Sequence, residues 1–279
     1  MPFTPSHAVV ALPFVRTPLV PAAIAIGAMT PDLPLFLRGF GVPYGFTHSV
    51  ANVVWTTLIA FVLFVVWRVV MRPGLVALAP DALAARLPDQ WRQTGRRAVA
   101  EAVGARARFG YPLLLVLSLM IGVLSHIVWD LFTHDGRWGV EAIPALQAAW
   151  GPLPGYKWLQ YGSSAFGLAL IGIWMLIWLR RRPVAPRPAL LPTWLRWAWM
   201  AALPIVLVSA WMLGFAAYGP LTDEFTVRHL AYATLPAASG LWGVLTVLLC
   251  VAIVIVPRRT AAPTAHHDAA SAPHSRGDA

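Results

Sequence analysis

Five long apolar runs dominate the chain: Val50 to Val70, Tyr111 to Phe132, Tyr161 to Leu179, Trp197 to Tyr218 and Leu230 to Val256. A helix rising 1.5 Å per residue needs ~20 such residues to cross a hydrocarbon core ~30 Å thick. Backbone inside hydrocarbon has no water to bond, so a spanning segment of this kind closes its hydrogen bonds internally as a helix. The expected fold is therefore all-α, a polytopic integral membrane protein. Composition agrees: 58% of residues are apolar and 11% charged, against roughly 45–50% and ~25% in soluble domains. A soluble enzyme is excluded.

Two shorter apolar stretches, Ser6 to Val15 and Leu19 to Met29, precede the five runs and meet at Arg16-Thr17-Pro18. They read as a short helical hairpin of half depth. Thr4 is suited to cap the first helix and Pro5 to be its first residue, where a missing N–H costs nothing. The second stretch ends at Thr30-Pro31-Asp32-Leu33-Pro34, where two prolines are expected to break the helix and leave Asp32 on extended or irregular backbone. The chain thus divides into one membrane domain, 1–256, and a tail, 257–279. The domain comprises a hairpin at 1–38, spans at 50–71, 111–133, 160–179, 197–218 and 230–256, and a loop at 72–110. The tail is rich in Ala, Pro, Ser and His, lacks periodicity and is expected to be disordered. Part of the loop, near Asp89 to Ala107, has the pattern of an amphipathic helix or of a plain linker.

The formal charge is +10, which in a soluble chain would raise nucleic-acid binding. Topology accounts for it better, and no nucleic-acid partner is expected. Arginines concentrate in the loop from Arg72 to Arg108, after Leu179, and at Arg258-Arg259. By the positive-inside rule these segments face the cytoplasm of a bacterial cell membrane, with the C-terminus inside. His7, Asp32 and the Gly39 to Thr47 loop then lie toward the outer face. The single cysteine, Cys250, excludes an intramolecular disulfide, and Met1 to Val15 lacks the basic start of a cleavable signal peptide.

Ionisable residues are costly inside membrane helices and are functional candidates by default. His126, Asp130 and His134 follow one another at i, i+4 steps, which places them on one stripe within ~80° of arc. His48, in Thr47-His48-Ser49, opens the preceding span at the same level, and the hairpin brings His7 and Asp32 there too. Imidazole and carboxylate suit zinc first, with manganese or iron as alternatives. The expected metal ligands are His7, Asp32, His48, His126, Asp130 and His134, with Asp32 and Asp130 as candidate catalytic carboxylates. For Asp32 an ion pair with Arg38 is the competing reading. Between Tyr161 and Leu179, Trp197 and Tyr218, and Ala231 and Val256 there is no Asp, Glu, Lys, Arg or His. Those spans read as scaffold.

The segments Met1-Pro2-Phe3-Thr4-Pro5-Ser6-His7, Met29-Thr30-Pro31-Asp32-Leu33-Pro34, Thr47-His48-Ser49 and Ser125-His126 through Asp130 to Thr133-His134 resemble the bacterial membrane family called domain of unknown function 4184. More distantly, their order resembles the membrane-bound, metal-dependent hydrolases that include LexA-regulated members. That resemblance implies a hydrolase, with His7, Asp32, His48, His126 and Asp130 at the matched positions. In the wider group a further acid and His often follow the Pro-Asp pair, whereas here Leu33-Pro34-Leu35 do.

The resulting expectation is a metal-assisted hydrolase acting near the outer leaflet on an ester or phosphoester of a lipid or lipid-linked substrate. A metal or proton transporter is one alternative, although transporters usually carry paired repeats and midplane charges that are not visible here. A non-catalytic membrane protein with a structural His/Asp cluster is the other.

Overall fold

The structure is a computed structural model that describes residues 3–39, 41–105, 110–185 and 188–256. The tail expected to be disordered lies outside the described residues. Among the described residues, five helices are long and apolar enough to cross a membrane: α2 (Val50–Leu78), α3 (Gly110–Thr133), α4 (Gly155–Arg180), α5 (Thr193–Tyr218) and α6 (Val227–Ile255). They are preceded by a 3₁₀ helix, Thr4–Phe14, and by a short helix, α1 (Pro21–Met29). The protein is an all-α polytopic membrane protein.

The N-terminal pair departs from expectation in detail. Its first member is a 3₁₀ helix rather than an α-helix, and residue Phe3, not Thr4, stands at the N-cap position without a side-chain cap bond. At ~2.0 Å per residue this tighter helix reaches farther than an α-helix of equal length, yet still falls short of a ~30 Å core. The predicted break at the two prolines is also a tightening: Thr30–Asp32 forms a 3₁₀ turn that runs directly into a short helix, Leu33–Phe36. Proline in the first turn of each piece gives up an N–H that would have had no helical partner.

What fixes α1 against α3 is the absence of side chains. A Cβ on Gly27 would strike the carbonyl oxygen of Leu119, and one on Gly122 would strike the carbonyl oxygen of Ile24. Backbone therefore touches backbone, the packing that small residues permit in membrane bundles. Ser118 adds a polar tie, accepting a hydrogen bond from the Val20 amide at 2.9 Å and so satisfying a donor that a helix start leaves over. Around this contact Ala23, Ala60, Phe64, Leu115, Leu119, Val123 and Ile127 form the apolar core shared by α1, α2 and α3.

Helix α2 runs past its expected end at residue 71. A π-turn, Trp67–Met71, precedes the helical segment Arg72–Leu78, which has Pro73 in its first turn. The wider turn accommodates a proline that cannot donate to the preceding carbonyls. Gly74 then lies directly against Cys250 of α6, which buries the thiol. In the following loop the amphipathic helix is shorter than expected, Gly95–Val103, and turns Ala98 and Ala102 inward.

Helices α5 and α6 pack against each other, with Trp199 stacked on Trp242 at 5.3 Å and donating to Thr246 Oγ1 at 3.2 Å. Gly240 of α6 receives the backbone of Phe36, and Arg38 donates to the carbonyls of Tyr232 and Ala233 at 2.6 and 3.2 Å. Arg38 is thus bound to α6 and is not the partner of Asp32. Between α3 and α4 lie two short helices and an antiparallel pair, Ala149–Trp150 with Leu153–Pro154. Helix α4 begins at Gly155, earlier than the expected 160.

Candidate metal centre

Four separate segments deliver the cluster. His7 comes from the 3₁₀ helix, Asp32 from the turn after α1, His48 from the entry to α2, and His126 and Asp130 from α3. All five are nearly enclosed, with exposures of 8, 2, 6, 0 and 4% respectively.

Each ring and carboxylate is held from behind. The backbone contact at Gly27 and Gly122 brings the Ala28 carbonyl within 2.7 Å of His126 Nδ1. The carbonyl of Tyr44 lies 3.0 Å from His48 Nδ1, and the Tyr44 ring stacks on the His48 ring with centroids 3.7 Å apart. Thr47 donates to the Pro31 carbonyl at 2.7 Å, which ties His48 to the segment carrying Asp32. Asp32 Oδ2 accepts from the Thr4 hydroxyl at 2.6 Å. Thr4, read from sequence as a helix cap, is instead a buttress of the cluster.

These bonds decide where the protons are. A carbonyl only accepts, so Nδ1 of His48 and of His126 carries the hydrogen and Nε2 of each neutral ring is left as a lone pair. The two Nε2 atoms face each other at 3.2 Å. Asp130 Oδ2 lies 3.6 and 3.4 Å from them, and Asp32 Oδ1 lies 3.7 Å from both. Four acceptor atoms therefore converge on one small volume where no donor stands among neutral rings and ionised carboxylates. His7 adds to the imbalance: its ring stacks on His126 at 4.0 Å, and its Nε2, 3.9 Å from Asp130 Oδ1, has no hydrogen-bond partner, nor has that oxygen. Buried acceptors so arranged need protons or a cation between them. Two overlapping triads, His7 with Asp32 and His126, and His48 with His126 and Asp130, offer ligand atoms within 4.8 Å of one another. An Nδ1–H bonded to a carbonyl is also the usual support of a metal-ligating histidine. The donor set fits a divalent metal.

His134 departs from its expected role. The Gln160 side chain, fully buried, accepts from Lys157 Nζ through Oε1 at 2.8 Å, which turns its amide nitrogen toward His134 Nε2 at 3.3 Å. That nitrogen donates, so His134 Nε2 accepts and its proton resides on Nδ1. Burial pulls the His134 imidazole down to about 4, so the ring is neutral near pH 7. Its Nδ1–H is directed at Thr133 Oγ1, 3.2 Å away, and at Asp130 Oδ2, 3.5 Å away. With Nε2 accepting from Gln160 and Nδ1 bonded to Thr133, the neutral His134 ring keeps no free lone pair for a metal in this arrangement and lies beside Asp130.

Gln160 and Lys157 are absent from the sequence reading of the site. Gln160 and Lys157 did carry a signal, being polar residues at the threshold of an apolar run. Thr4 carried a signal for a different role.

Beside the cluster, an apolar cavity of about 350 Å³ opens between the 3₁₀ helix, α3 and α4, lined by Ser6, His7, Val10, Trp129 and Phe166 among others. Gly167 keeps it narrow at one end, where a Cβ would press on the Ser6 carbonyl.

A family model described as domain of unknown function (DUF4184) matches residues 1–257. No curated protein and no solved structure is detectably similar to the chain.

Proposed function

The chain belongs to the DUF4184 family, and from that premise we propose that it is a membrane-embedded, metal-dependent hydrolase of a lipid or lipid-linked ester or phosphoester. The observation that carries the reading is the facing pair of Nε2 atoms at 3.2 Å, ringed by carboxylate oxygens, between which no donor stands when both rings are neutral and bonded through Nδ1 to carbonyls. His126, His48, His7, Asp32 and Asp130 would hold the ion, zinc in preference to manganese or iron given three imidazoles. A divalent cation held there would supply Lewis acidity and bring the pKa of a coordinated water down toward neutrality.

The residues themselves do the rest. Asp130 Oδ1, which has no hydrogen-bond partner, is the oxygen free to accept a proton. Thr4 holds the Asp32 carboxylate in orientation through Oδ2, and the His134 ring lies 3.5 Å from Asp130 Oδ2. The apolar cavity against His7 suits an acyl or isoprenoid chain entering sideways from the bilayer. On the arginine distribution the cluster lies toward the outer face of the cytoplasmic membrane and the C-terminus inside.

The test is elemental mass spectrometry on the detergent-purified chain beside His126→Ala and Asp130→Ala. Stoichiometric metal lost in both variants, together with release of product from a panel of lipid esters and phosphoesters, is the expected result. Metal without any hydrolysis would leave a structural cluster, and no metal in the wild type would sink the reading.

A further inference from the structure

At the opposite end of α2 and α3, about 22 Å along the axis from His126 at 1.5 Å per residue, lies a second cavity, of about 590 Å³. It opens between the turn joining the N-terminal pair, the start of α3 and the helix Gly95–Val103. Arg68, Arg97, Gln90 and Tyr111 supply polar walls, and Leu19 and Pro21 an apolar one.

Its lining carries two arginines, Arg68 and Arg97, against one carboxylate, Glu101, and Arg72 lies just behind it within the field of the same carboxylate. Arg68 sits in the π-turn of α2 with its guanidinium 5.7 Å from the Phe64 ring centroid. Arg72, one turn on and 7% exposed, lies 4.9 Å from the Trp91 ring centroid, and its Nε has no hydrogen-bond partner. Among the described residues neither arginine makes an ion pair. The one carboxylate lining the cavity, Glu101, stands 3.9 Å from Arg97. Two cations a turn apart at the rim of an apolar helix repel each other and are costly to keep. An anion in the cavity would remove that cost.

We propose that this cavity binds a phosphate group, with the Arg68 guanidinium as principal donor and Arg97, Gln90 and the Tyr111 hydroxyl completing the site. Guanidinium presents paired N–H donors that match phosphate oxygens. A phospholipid headgroup and free inorganic phosphate share this chemistry. The apolar wall at Leu19 and Pro21, beside the end of a spanning helix, favours the headgroup. The site is independent of the hydrolase reading and lies at the arginine-rich end, which faces the cytoplasm on the orientation proposed above.

Isothermal titration calorimetry of the full chain in detergent tests it, using dihexanoylphosphatidylglycerol, dihexanoylglycerol and inorganic phosphate as probes. Saturable binding of the phosphate-bearing lipid is expected, with none for the diacylglycerol. Arg68→Gln should weaken it about tenfold or more, and Arg68→Lys by less. Competition by inorganic phosphate at comparable concentration would identify free phosphate as the ligand, and failure to compete would identify the headgroup. Thermal melting of each variant checks its folding. Arg97→Gln, on the exposed helix, provides a second variant expected to weaken binding should Arg68→Gln unfold. No saturable binding of either phosphate probe, or equal binding in a folded Arg68→Gln, overturns the proposal.

Discussion

The N-terminal part of the molecule and the paired helices α5 and α6 are built of similarly apolar sequence, yet they use it differently. Around α1 and α3 the interface is made of glycine against backbone, and although Ser118, Thr30 and Thr57 also donate to carbonyls of their own helices, several polar groups inside it bond across elements: Ser118 to Val20, His126 to Ala28, Thr4 to Asp32. In α6, Thr234 and Thr246 donate to carbonyls one turn back on their own helix, at 2.8 Å in each case. Among the described residues, one polar side-chain bond joins α5 to α6, from Trp199 to Thr246. Close backbone packing leaves little freedom, and that is what a cluster of buried ligands needs, since each ligand must be held where the alternatives are excluded. The C-terminal pair serves as a wall behind it, receiving Phe36 and Arg38 from the segment that follows Asp32.

The largest contrast should come from one substitution made in both regions. Gly122→Ala drives a Cβ into the carbonyl of Ile24 and the amide of Ala28, whereas Gly243→Ala in α6 meets nothing within 4 Å. The first should cost about 3 kcal/mol, roughly 6–12 °C in melting midpoint, and should disturb the His126 bond to Ala28. The second should be neutral or slightly stabilising, because alanine favours a helix over glycine. Equal midpoints for the two variants in detergent would abolish the distinction drawn here.

A second contrast lies inside the cluster, between ligand and support. His134→Ala should keep bound metal but weaken its affinity by about 10–100-fold at most, the usual loss when a group packed behind a ligand is removed. His126→Ala should lose the metal altogether. Competition against a chelator of known affinity separates the two. Complete loss in His134→Ala would return that residue to the ligand set.

Smaller again is the difference between a hydroxyl that crosses an interface and one that does not. Ser118→Ala leaves the Val20 amide without its partner and should cost about 1–2 kcal/mol. Thr234→Val removes a hydroxyl bonded to Leu230 on its own helix while keeping the shape that packs on Gly214. Its effect should stay within about 0.5 kcal/mol. A melt of the two variants side by side decides it.

Much of this was readable in the chain because its signals are one-dimensional. Twenty apolar residues in a row span a membrane whatever their neighbours do, and a histidine and an aspartate four apart on such a run share a face by helix geometry alone. What was not readable depends on partners distant in sequence. Whether Thr4 caps its own helix or reaches Asp32, 28 positions away, is decided by how the hairpin folds. Whether His134 offers a lone pair or a proton is decided by Gln160, and Gln160 in turn by Lys157. The same i, i+4 spacing that places His134 beside Asp130 says nothing about which nitrogen carries the hydrogen. Arg72 and Pro73 looked like the end of a span because charge and proline usually end one, and a π-turn carried the helix through.

The smallest expected effect lies at the other end of the bundle, where Arg196 at the start of α5 grips Asp81 at 2.6 and 3.3 Å and the Ala79 carbonyl at 3.2 Å. This pair joins α5 to the loop after α2, yet the carboxylate is largely exposed to solvent, where such pairs contribute little. Arg196 holds the Asp81 carboxyl below the usual carboxylate range. A carboxyl whose pKa is lower in the folded chain stabilises it above the unfolded value, ~3.9, and loses that contribution as the pH falls through the folded value. The melting midpoint of Asp81→Asn should therefore lie slightly below wild type at neutral pH, and the gap should close as the pH falls below ~4. It should also shrink in high salt, since exposed charges are screened. No gap at neutral pH would mean that the Ala79 and Thr193 bonds to Arg196, which Asp81→Asn leaves in place, and not the ion pair, hold this corner.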